Sequence, residues 1–433
     1  MNEGRRPWGR AALWLAGLGP FFFASYGLAT YLATQRAQVP AIVFEWESAI
    51  PLIPWTIIPY WSIDILYGIS LFICATRAEL DTHAKRLLTA QVLAVSCCIA
   101  APLRFTFERP PLDGIPGQLF ALLGEFDKPF NQAPSLHIAL LVILWVRFAA
   151  HASVPWIWVL HGWFALIGIS VLTTWQHHFI DIPTGAWLGL LTLWLFPDRG
   201  PGPLAEAGLT RDPRRRRMAL RYGAAGALLV LVALWRGGMA LWLLWPAGSL
   251  MFVALAYIAL GPNVFQKDAT GRLSPAARWL LGPYLWGARI NTYFWRGDGR
   301  AVTPLLGDVS LGRFPSREAA AQFPTVVDLS AELPGIPGRE AYVSIPMLDL
   351  ATPDPARLRA AAIAIEAARA RGPVLVNCAL GYSRSAAAAA SWLIVSGQAD
   401  NAEAAVAAIR TARPRIVLDP TMNATIAAAA APP

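Results

Sequence analysis

The chain has 433 residues, of which 56% are apolar and 15% charged, and its mean hydropathy is +0.45. A water-soluble enzyme of this length carries more charge, so the composition excludes a wholly soluble protein. The formal net charge is +9, and the most basic run, RDPRRRR at 211–217, contains no aromatic residue. We expect this run to contact anionic lipid head groups, and we expect no nucleic-acid partner.

Apolar runs of membrane-spanning length recur along the first 261 residues. The first run extends beyond a signal-peptide core and has no small-residue cleavage site, so we expect it to remain as an anchor. The pattern predicts an all-α, multi-pass membrane domain of about eight transmembrane helices. The runs lie at 11–33, 51–74, 87–103, 136–154, 156–175, 182–197, 219–235 and 238–261.

The charged residues between these runs predict how the chain is oriented. With the N-terminus inside, segments 1–10, 75–86, 147–155 and 198–218 are internal and carry 13 Lys and Arg, whereas the outer segments carry 5. Lys and Arg accumulate on the cytoplasmic side of membranes. We therefore expect a multi-pass inner-membrane protein whose N-terminus and C-terminal region are cytoplasmic.

The apolar pattern also divides the chain into regions. Residues 1–200 hold six runs, and residues 201–262 combine the basic loop with a two-helix transmembrane hairpin. Residues 263–433 alternate short strands and helices, which predicts a soluble α/β domain with a mainly parallel sheet. Strands are predicted near 302–306, 325–329, 342–345 and 373–377, and helices near 316–322, 355–371, 384–396 and 402–411.

Between the hairpin and the first of these strands, the segment 272–295 interleaves Arg with Trp and Tyr. This composition is typical of a helix on a membrane surface. A helix that packs against the soluble core fits the sequence equally well, and the sequence leaves both interpretations open.

The only cysteine after Cys98 lies in the stretch VNCALGYSRSA at 376–386. A strand runs into this loop and a helix leaves it, so backbone amides and the helix dipole favour a bound anion there. Gly381 lets successive amides point inward, and Arg384 offers two donors to phosphate oxygens. These groups favour a thiolate at Cys378. The stretch predicts phosphoryl transfer through a cysteinyl phosphate, and a buried structural cysteine is the alternative.

The motif C-x-x-G-x-S-R-S resembles the signature of dual-specificity phosphatases in the protein tyrosine phosphatase superfamily, and the resemblance covers about residues 295–425. It implies a general acid upstream, for which YVSIPMLDLATPD offers Asp349 first and Asp354 second. That acid would protonate the leaving alkoxide and then activate water. The family usually has His before the cysteine, where this chain has Asn377, so one customary support of the thiolate is missing.

The same resemblance implies that the loop after Cys378 binds phosphate and that Ser385 helps the thiolate to leave. None of the variable loop positions is basic, which disfavours highly phosphorylated inositol lipids. The implied substrate-binding residues are Ala379, Leu380, Gly381, Tyr382, Ser383 and Ser385.

Three histidines, His137, His177 and His178, lie at or near the ends of predicted spans. Polar groups at such positions are candidates for function. The spacing of His177 and Asp181 lets the carboxylate orient the imidazole, and His137 begins another span on the same side. With Arg109 from the intervening loop, the set suits a phosphohistidine enzyme. A zinc site built from His137, His177 and Asp181 is an alternative.

The order R-P, P-S-x-H and H-x-x-x-D resembles type-2 phosphatidic acid phosphatases, over about residues 10–200. The resemblance implies that His177 attacks phosphorus, that Asp181 holds this imidazole and that His137 protonates the leaving group. It also implies that Arg109 and Ser135 bind phosphate.

Two basic positions of that family are absent, because Pro102 and Val171 stand in their places. The run D-x-x-x-N-x-x-P-S-L-H, from Asp127 to His137, is more similar to the inositol phosphorylceramide synthase branch, which moves head groups between lipids. Transfer to an alcohol therefore competes with hydrolysis as the predicted reaction.

The sequence thus predicts a membrane-bound bifunctional phosphatase. An outward-facing histidine site would act as a lipid phosphatase or head-group phosphotransferase, and a cytoplasmic cysteine site would hydrolyse phosphomonoesters. The expected substrates are phospholipids or lipid phosphates, with phosphoproteins as a further class, and neither site is expected to need a metal or another cofactor. The alternative is a membrane-anchored protein tyrosine/serine/threonine phosphatase whose membrane half is only an anchor or lipid sensor.

Overall fold

The computed structural model describes residues 6–295, 301–336 and 341–431. The chain divides into two compact units, Met1–Arg199 and Gly200–Pro433. The first is built from helices, and the second joins a helical hairpin to a five-stranded sheet with its own helices.

The described part of the first unit contains seven α-helices, one more than the six predicted. Helix α4 was not predicted, because its first four residues, GIPG, include two glycines and a proline, which disfavour a helix; a proline is nevertheless tolerated in a first turn. Helix α3 begins well before the predicted run, because the Thr76 side chain caps it by accepting a hydrogen bond from the Glu79 amide. The helices are α1 (Trp8–Thr34), α2 (Ile57–Phe72), α3 (Arg77–Ala100), α4 (Gly114–Phe126), α5 (Leu136–His151), α6 (Val154–Thr173) and α7 (Asp181–Leu195).

The prediction of eight transmembrane helices is not confirmed. Each predicted run coincides with helical structure, but α5 and α7 have only 16 and 15 residues, and α3 carries several charges. Within the described residues, the helices that are long and apolar enough to cross a membrane are four: Trp8–Thr34, Val154–Thr173, Pro213–Arg236 and Gly238–Phe265. Those four are compatible with membrane association.

Helix α7 packs closely against α5, because two glycines face that contact. A side-chain carbon on Gly185 would lie 2.5 Å from the backbone oxygen of Ser135, and one on Gly189 would lie 2.8 Å from that of Ala139. The G-x-x-x-G spacing puts both glycines on one face of α7, as in close helix pairs of membrane proteins. The contact brings the first turns of α5 and α7 together.

The second unit starts with an antiparallel hairpin of α8 (Pro213–Arg236) and α9 (Leu244–Leu255). Asp212 caps α8 by accepting a hydrogen bond from the Arg214 amide at 2.8 Å. Gly237, with φ +60°, ends α8 and starts the return. A side-chain carbon on Gly226 would lie 3.1 Å from the Ala247 carbonyl oxygen, so this glycine permits the close approach of the two helices.

A mixed sheet with the strand order β1-β2-β5-β3-β4 forms the centre of the rest of the second unit. β1 is antiparallel to β2, and all other neighbours are parallel, so the expectation of a mainly parallel sheet is confirmed. The short strand β2 was not predicted. The strands are β1 (Val302–Pro304), β2 (Val309–Gly312), β3 (Thr325–Ser330), β4 (Tyr342–Met347) and β5 (Val374–Asn377).

Helices cover this sheet on both faces. α13 to α16 share one apolar core with alternate residues of β2, β3 and β5, and α12 packs on the opposite face. α14 is buried from Arg384 to Leu393, because its run of alanines lets the sheet and neighbouring helices approach it. The helices are α10 (Pro275–Leu280), α11 (Gly282–Trp295), α12 (Arg317–Ala321), α13 (Pro355–Arg369), α14 (Arg384–Val395), α15 (Ala402–Ala412) and α16 (Pro420–Ala430).

Candidate active site

The cysteine loop, residues 378–383, connects the central strand β5 to α14. Its backbone depends on Gly381, which has φ +75° and leaves no room for a side chain. A carbon attached there would lie 2.6 Å from the Gly312 carbonyl oxygen and 2.8 Å from the Arg313 amide nitrogen. Any other residue would therefore be both strained and crowded, which explains why the motif needs glycine.

Two carbonyl groups of the cysteine loop bond to residues outside it. The Ala379 oxygen accepts a hydrogen bond from the Phe314 amide at 3.1 Å, and the Tyr382 oxygen accepts one from the Val417 amide at 2.8 Å. Carbonyls that are held in this way leave the loop amides to face an anion. Of the other predicted loop residues, Leu380 and Ser383 are half-buried.

Cys378 is buried at the base of the cysteine loop, where a backbone amide and a hydroxyl group contact its sulfur. The Gly381 amide donates to Sγ at 3.3 Å, and the Ser385 Oγ lies 3.4 Å from it. Hydrogen bonds to sulfur at a helix N-terminus suit a thiolate. The position of Ser385 also suits the role that the sequence assigns to it in the departure of the thiolate.

Arg384 is buried in the first turn of α14 and is held on one edge. Its Nη1 and Nη2 atoms donate to the two carboxylate oxygens of Glu332 at 2.8 and 2.7 Å, and Nη1 also donates to the Met347 carbonyl at 2.9 Å. Its Nε is buried and has no hydrogen-bond partner within the described residues. That N–H remains as a donor for a phosphate oxygen.

Glu332 is a site residue that the sequence reasoning missed. It follows β3, and the carboxyl ends of parallel strands meet at one edge of a sheet, which is the signal that could have found it. Burial raises the pKa of Glu332, but the charges of Arg384 and Lys267 outweigh burial and hold its pKa below the usual range. Glu332 is therefore a carboxylate at neutral pH and fixes the guanidinium.

Asp349, the first choice for the general acid, lies beside the same guanidinium. Its Oδ1 is 3.1 Å from the Arg384 Nη2, and its side chain is 37% exposed. Burial raises the pKa of Asp349 above its ordinary value; Arg384 opposes that rise, whereas Glu332 adds to it. A raised pKa preserves the protonated form, which a general acid needs.

Asp354, the second choice, occupies a different position. Its carboxylate accepts a hydrogen bond from the Ala356 amide at 2.9 Å and caps α13, where it is exposed. A helix cap accounts for this residue without a role in chemistry. The geometry therefore favours Asp349.

Asn377 belongs to a buried network beneath the cysteine loop. Its Nδ2 donates to the Asp328 carboxylate at 3.1 Å, and the same carboxylate forms an ion pair with Lys267 and accepts a hydrogen bond from Tyr342. The Lys267 ammonium also donates to the Ser330 carbonyl at 2.6 Å. These contacts fix the residue that precedes the cysteine, where the resembling family usually has His.

In the first unit, His177 follows α6 and His137 belongs to α5. The His177 Nδ1 lies 2.7 Å from the Asp181 Oδ2, and the two histidine rings are 6.2 Å apart between centroids. Tyr60 of α2, which sequence reasoning missed, stacks on the His137 ring at 4.2 Å and places its Oη 3.5 Å from the His177 Nε2. Asp127 accepts a hydrogen bond from the same hydroxyl at 3.4 Å.

The other candidate residues of this site bond to groups other than His137 and His177. The Arg109 Nη2 donates to the Gln176 side chain at 3.0 Å, and its guanidinium lies 4.8 Å above the Phe120 ring. Ser135 is buried and caps α5 by accepting a hydrogen bond from the Ile138 amide at 3.3 Å. His178 contacts Glu47 and Thr106 instead of the cavity.

A cavity of about 700 Å³ opens beside His137 and His177. Most of its walls are apolar side chains of α1 and α2, and Tyr26, Asp64 and Asp127 add polar groups. No set of three or more His, Cys, Asp or Glu in the described ranges is grouped to hold a metal ion. The structure thus brings His137, His177 and Asp181 together beside a mainly apolar cavity.

Comparison with known proteins identifies part of the chain. Residues 307–429 match the family model described as "Dual specificity phosphatase, catalytic domain". The chain therefore contains a dual-specificity phosphatase catalytic domain, and this domain includes the cysteine loop, Asp349 and Arg384. Among curated proteins, none matches the chain.

Several solved structures are similar to part of the chain. The crystal structure of PTPMT1 in complex with PI(5)P is 18% identical, with a TM-score of 0.28, over 30% of this chain and 95% of that one. The structure of human DUSP28 is 25% identical, with a TM-score of 0.26, over 30% and 91%. That of Tk-PTP in the active form is 24% identical, with a TM-score of 0.28, over 30% and 96%.

Proposed function

We propose that the second unit hydrolyses phosphomonoesters through a covalent phosphate on Cys378. The observation that carries the proposal is the buried thiol, which has the Gly381 amide on its sulfur and lies in the loop that leads to Arg384. The Arg384 guanidinium is held by Glu332 beside Asp349. Together these groups supply a nucleophile, a phosphate clamp and an acid.

The reaction follows from these positions in two displacements. The Cys378 thiolate forms a bond to phosphorus, and the bond from phosphorus to the ester oxygen breaks while Asp349 gives its proton to that oxygen. The Asp349 carboxylate then takes a proton from water, whose oxygen attacks phosphorus and releases inorganic phosphate. The thiolate leaves with a hydrogen bond from Ser385, and the enzyme returns to its starting state.

Alkylation of the thiol tests this proposal on the full chain. Iodoacetate should abolish hydrolysis of an aryl phosphate in step with carboxymethylation of Cys378, followed by mass mapping, and vanadate should protect against both. Cys97, which is exposed on α3, is the matched site whose alkylation should not matter. Full turnover after complete modification of Cys378 would refute the proposal.

We propose in addition that the first unit carries a histidine-dependent lipid phosphatase or head-group phosphotransferase. The supporting observation is the His177 imidazole, which is bound through Nδ1 to Asp181 beside an apolar cavity. That hydrogen bond directs Nε2 to act as the nucleophile, and His137 is near enough to serve as the acid. In the alternative function, this unit is only an anchor or lipid sensor, and the cysteine site dephosphorylates proteins.

Trapping of a phosphorylated form of the protein distinguishes these two functions of the first unit. In a Cys378→Ser background, a radiolabelled lipid phosphate should leave an acid-labile phosphate on the protein, and His177→Ala should remove it. The control is His161→Ala, because His161 lies on α6, outside this cavity. An unlabelled protein that still dephosphorylates a phosphoprotein when Cys378 is present would favour the anchor.

We propose finally that the two sites face opposite sides of an inner membrane, with the cysteine site in the cytoplasm. The excess of Lys and Arg, 13 against 5, in the segments that lie inside when all eight apolar runs cross the membrane supports this orientation. An impermeant thiol reagent should label Cys378 in a lysate and leave it unlabelled in intact cells. Labelling in intact cells would contradict the orientation.

A further inference from the structure

A cavity of about 500 Å³ lies beside the cysteine loop, and the hairpin forms one of its walls. The floor includes Asp349 and Leu380, which belong to the phosphatase domain. α9 contributes Leu250, the π-helical turn that follows it (Ala256–Leu260) contributes Tyr257, and α11 contributes Gly287 on the other side. The site proposed for phosphate hydrolysis therefore opens into a groove between α9 and α11, and we name this space the hairpin groove.

Three tyrosines join the hairpin to the groove and to the acid. The Tyr222 ring of α8 stacks on Tyr257 at 5.7 Å and meets the edge of Tyr284 of α11 at 5.6 Å. The Tyr257 hydroxyl donates a hydrogen bond to the Asp349 carbonyl at 2.8 Å. The hairpin thus fixes the backbone of the residue proposed as the general acid.

The hairpin groove continues away from the phosphate position along an apolar helix. Its wall runs from Tyr257 back to Leu250 and Pro246, a distance of about 16 Å at 1.5 Å per residue. The segment Gly238–Phe265, which includes this wall, is one of those long and apolar enough to cross a membrane. A substrate in the groove with its phosphate at the cysteine loop therefore has its other end beside a segment that is long and apolar enough to cross a membrane.

The base of the hairpin has the features of a membrane interface. Arg214 to Arg217 form the first turn of α8, two turns before Tyr222, and tyrosines collect at the level of lipid head groups. α11 exposes large apolar side chains on its outer side, including Trp286 at 66% and Phe294 at 75%. An amphipathic helix of this kind lies in the interface plane. Both features place the mouth of the groove at head-group depth.

The charge of the groove limits the kind of phosphate that it accepts. The described residues that line it include Glu332 and Asp349 but neither Lys nor Arg. Arg384 already pairs with both carboxylates, so the groove lining offers no further cation to bind a second phosphate outside the cysteine loop. The acidic side chains of a phosphopeptide would lack a cation for the same reason, whereas hydrocarbon can contact the apolar part of the lining, which includes Pro246, Leu250 and Pro283.

We propose that the hairpin groove binds the hydrocarbon part of a membrane lipid with a single terminal phosphomonoester, so that the cysteine site dephosphorylates lipids in the bilayer. The proposal rests on the cysteine-phosphatase function stated above. The hydrolysis step is unchanged, and the products are inorganic phosphate and the dephosphorylated lipid.

The test compares two substrates on the full chain in phosphatidylethanolamine and phosphatidylglycerol vesicles. Phosphatidic acid in the vesicle is the lipid probe, and a soluble aryl phosphate measures the chemistry alone. All proteins carry His177→Ala, so that the first unit does not contribute. The quantity measured is the ratio of Cys378-dependent phosphate release from the lipid to that from the aryl phosphate.

Gly287→Trp should lower this ratio about tenfold, because the new ring fills the groove but not the phosphate position. A side-chain carbon at Gly287 meets no atom within 4 Å, so folding should tolerate the change, and Gly287→Leu repeats the test with a smaller group. The matched control is Ala227→Trp, at an exposed position of α8 outside the groove, which should leave both rates unchanged.

The possible outcomes separate this inference from the function on which it rests. Equal ratios in the wild type and both Gly287 variants, with intact aryl phosphate hydrolysis, would overturn the inference and leave the phosphatase standing. Faster release from a phosphotyrosine peptide than from the lipid, unaffected by Gly287→Trp, would overturn it in favour of a protein substrate. No Cys378-dependent release from any of the three would refute the phosphatase itself.

Discussion

The cysteine site and the histidine site are built in different ways. Cys378, Gly381 and Arg384 lie within seven consecutive residues, and one strand-loop-helix connection sets their geometry. His137 and His177 come from separate parts of the first unit and meet because glycines let α7 approach α5. A site formed by one contiguous loop can therefore be recognised in the sequence, whereas the geometry of a site formed by separate segments depends on helix packing.

The two sites also differ in their charges. Around Arg384 the structure places two carboxylates, one held as an anion and one with a raised pKa. The cavity of the first unit instead combines histidines, tyrosines and aspartates with apolar walls. We expect the two carboxylates beside Arg384 to make phosphomonoester hydrolysis at the cysteine site depend on pH.

Removing the cysteine nucleophile should have the largest effect and should separate the two sites completely. Cys378→Ser should lower vanadate-sensitive aryl phosphate hydrolysis by about 10⁴-fold or more, because a serine hydroxyl stays protonated in a site arranged for a thiolate. Cys97→Ser is the control, and the initial rate of phosphate release is the measurement. Near-normal turnover by Cys378→Ser would show that the comparison assigns the nucleophile wrongly.

Replacing the acid should sharpen the contrast between substrates. Asp349→Asn should slow alkyl phosphates, whose leaving groups need a proton, by about 10²-fold and should slow activated aryl phosphates much less. Asp354→Asn is a matched control, because asparagine also caps a helix. An equal loss of rate on both substrates would show that another residue is the general acid.

Asp349→Asn should also change how the rate of alkyl phosphate hydrolysis depends on pH. Because burial raises the pKa of Asp349, its protonated form persists to higher pH, and the rate on alkyl phosphates should fall as the pH rises through that pKa. Asp349→Asn should remove this alkaline limb. A limb that remains at the same pH would belong to another group.

Glu332 tests how far the cysteine site depends on a carboxylate that the loop motif does not contain. Glu332→Gln should lower kcat/KM about tenfold, because Arg384 loses its charged partner. It should also move the alkaline limb to lower pH, because the Glu332 charge raises the pKa of Asp349 and its removal lowers that pKa. Glu318→Gln, exposed on α12, is the control, and a limb that moves to higher pH would contradict the account.

The smallest expected effect concerns the contact between the hairpin and the acid. Tyr257→Phe removes the hydrogen bond to the Asp349 carbonyl, which is worth ~1 kcal/mol, and should slow alkyl phosphates about fivefold while lowering aryl phosphate rates less. Tyr31→Phe, exposed on α1, should change neither. Equal slowing of both substrates would indicate a general structural role for Tyr257.

Much of the cysteine site could be predicted from the sequence, because its main features are local. A buried strand, a glycine with positive φ and an arginine in the first turn of a helix are all written in one short stretch. Glu332 escaped prediction because it approaches Arg384 only after β3 and β5 become neighbours. Lys267 was not predicted as part of the site because its ion pair with Asp328 joins positions that are distant along the chain.

The membrane features show the limits of a hydropathy pattern. The pattern located helical structure over all eight apolar runs, but it could not give the helix lengths. In the described part of the chain, four helices are long and apolar enough to span a membrane. The tyrosines at the base of the hairpin were also missed. Their role depends on the contact between Tyr257, just after α9, and the turn that follows β4, and no single segment of the sequence encodes that contact.

Radiolabel trapping in the full chain tests most directly the claim that two different nucleophiles act. Four proteins, the wild type, Cys378→Ser, His177→Ala and the double variant, would be mixed with a labelled lipid phosphate and quenched. The account predicts label in the wild type and in each single variant, and none in the double variant. The labelled peptide should contain His177 in the Cys378→Ser protein and Cys378 in the His177→Ala protein. Label that persists in the double variant, or that disappears with Cys378→Ser alone, would contradict it.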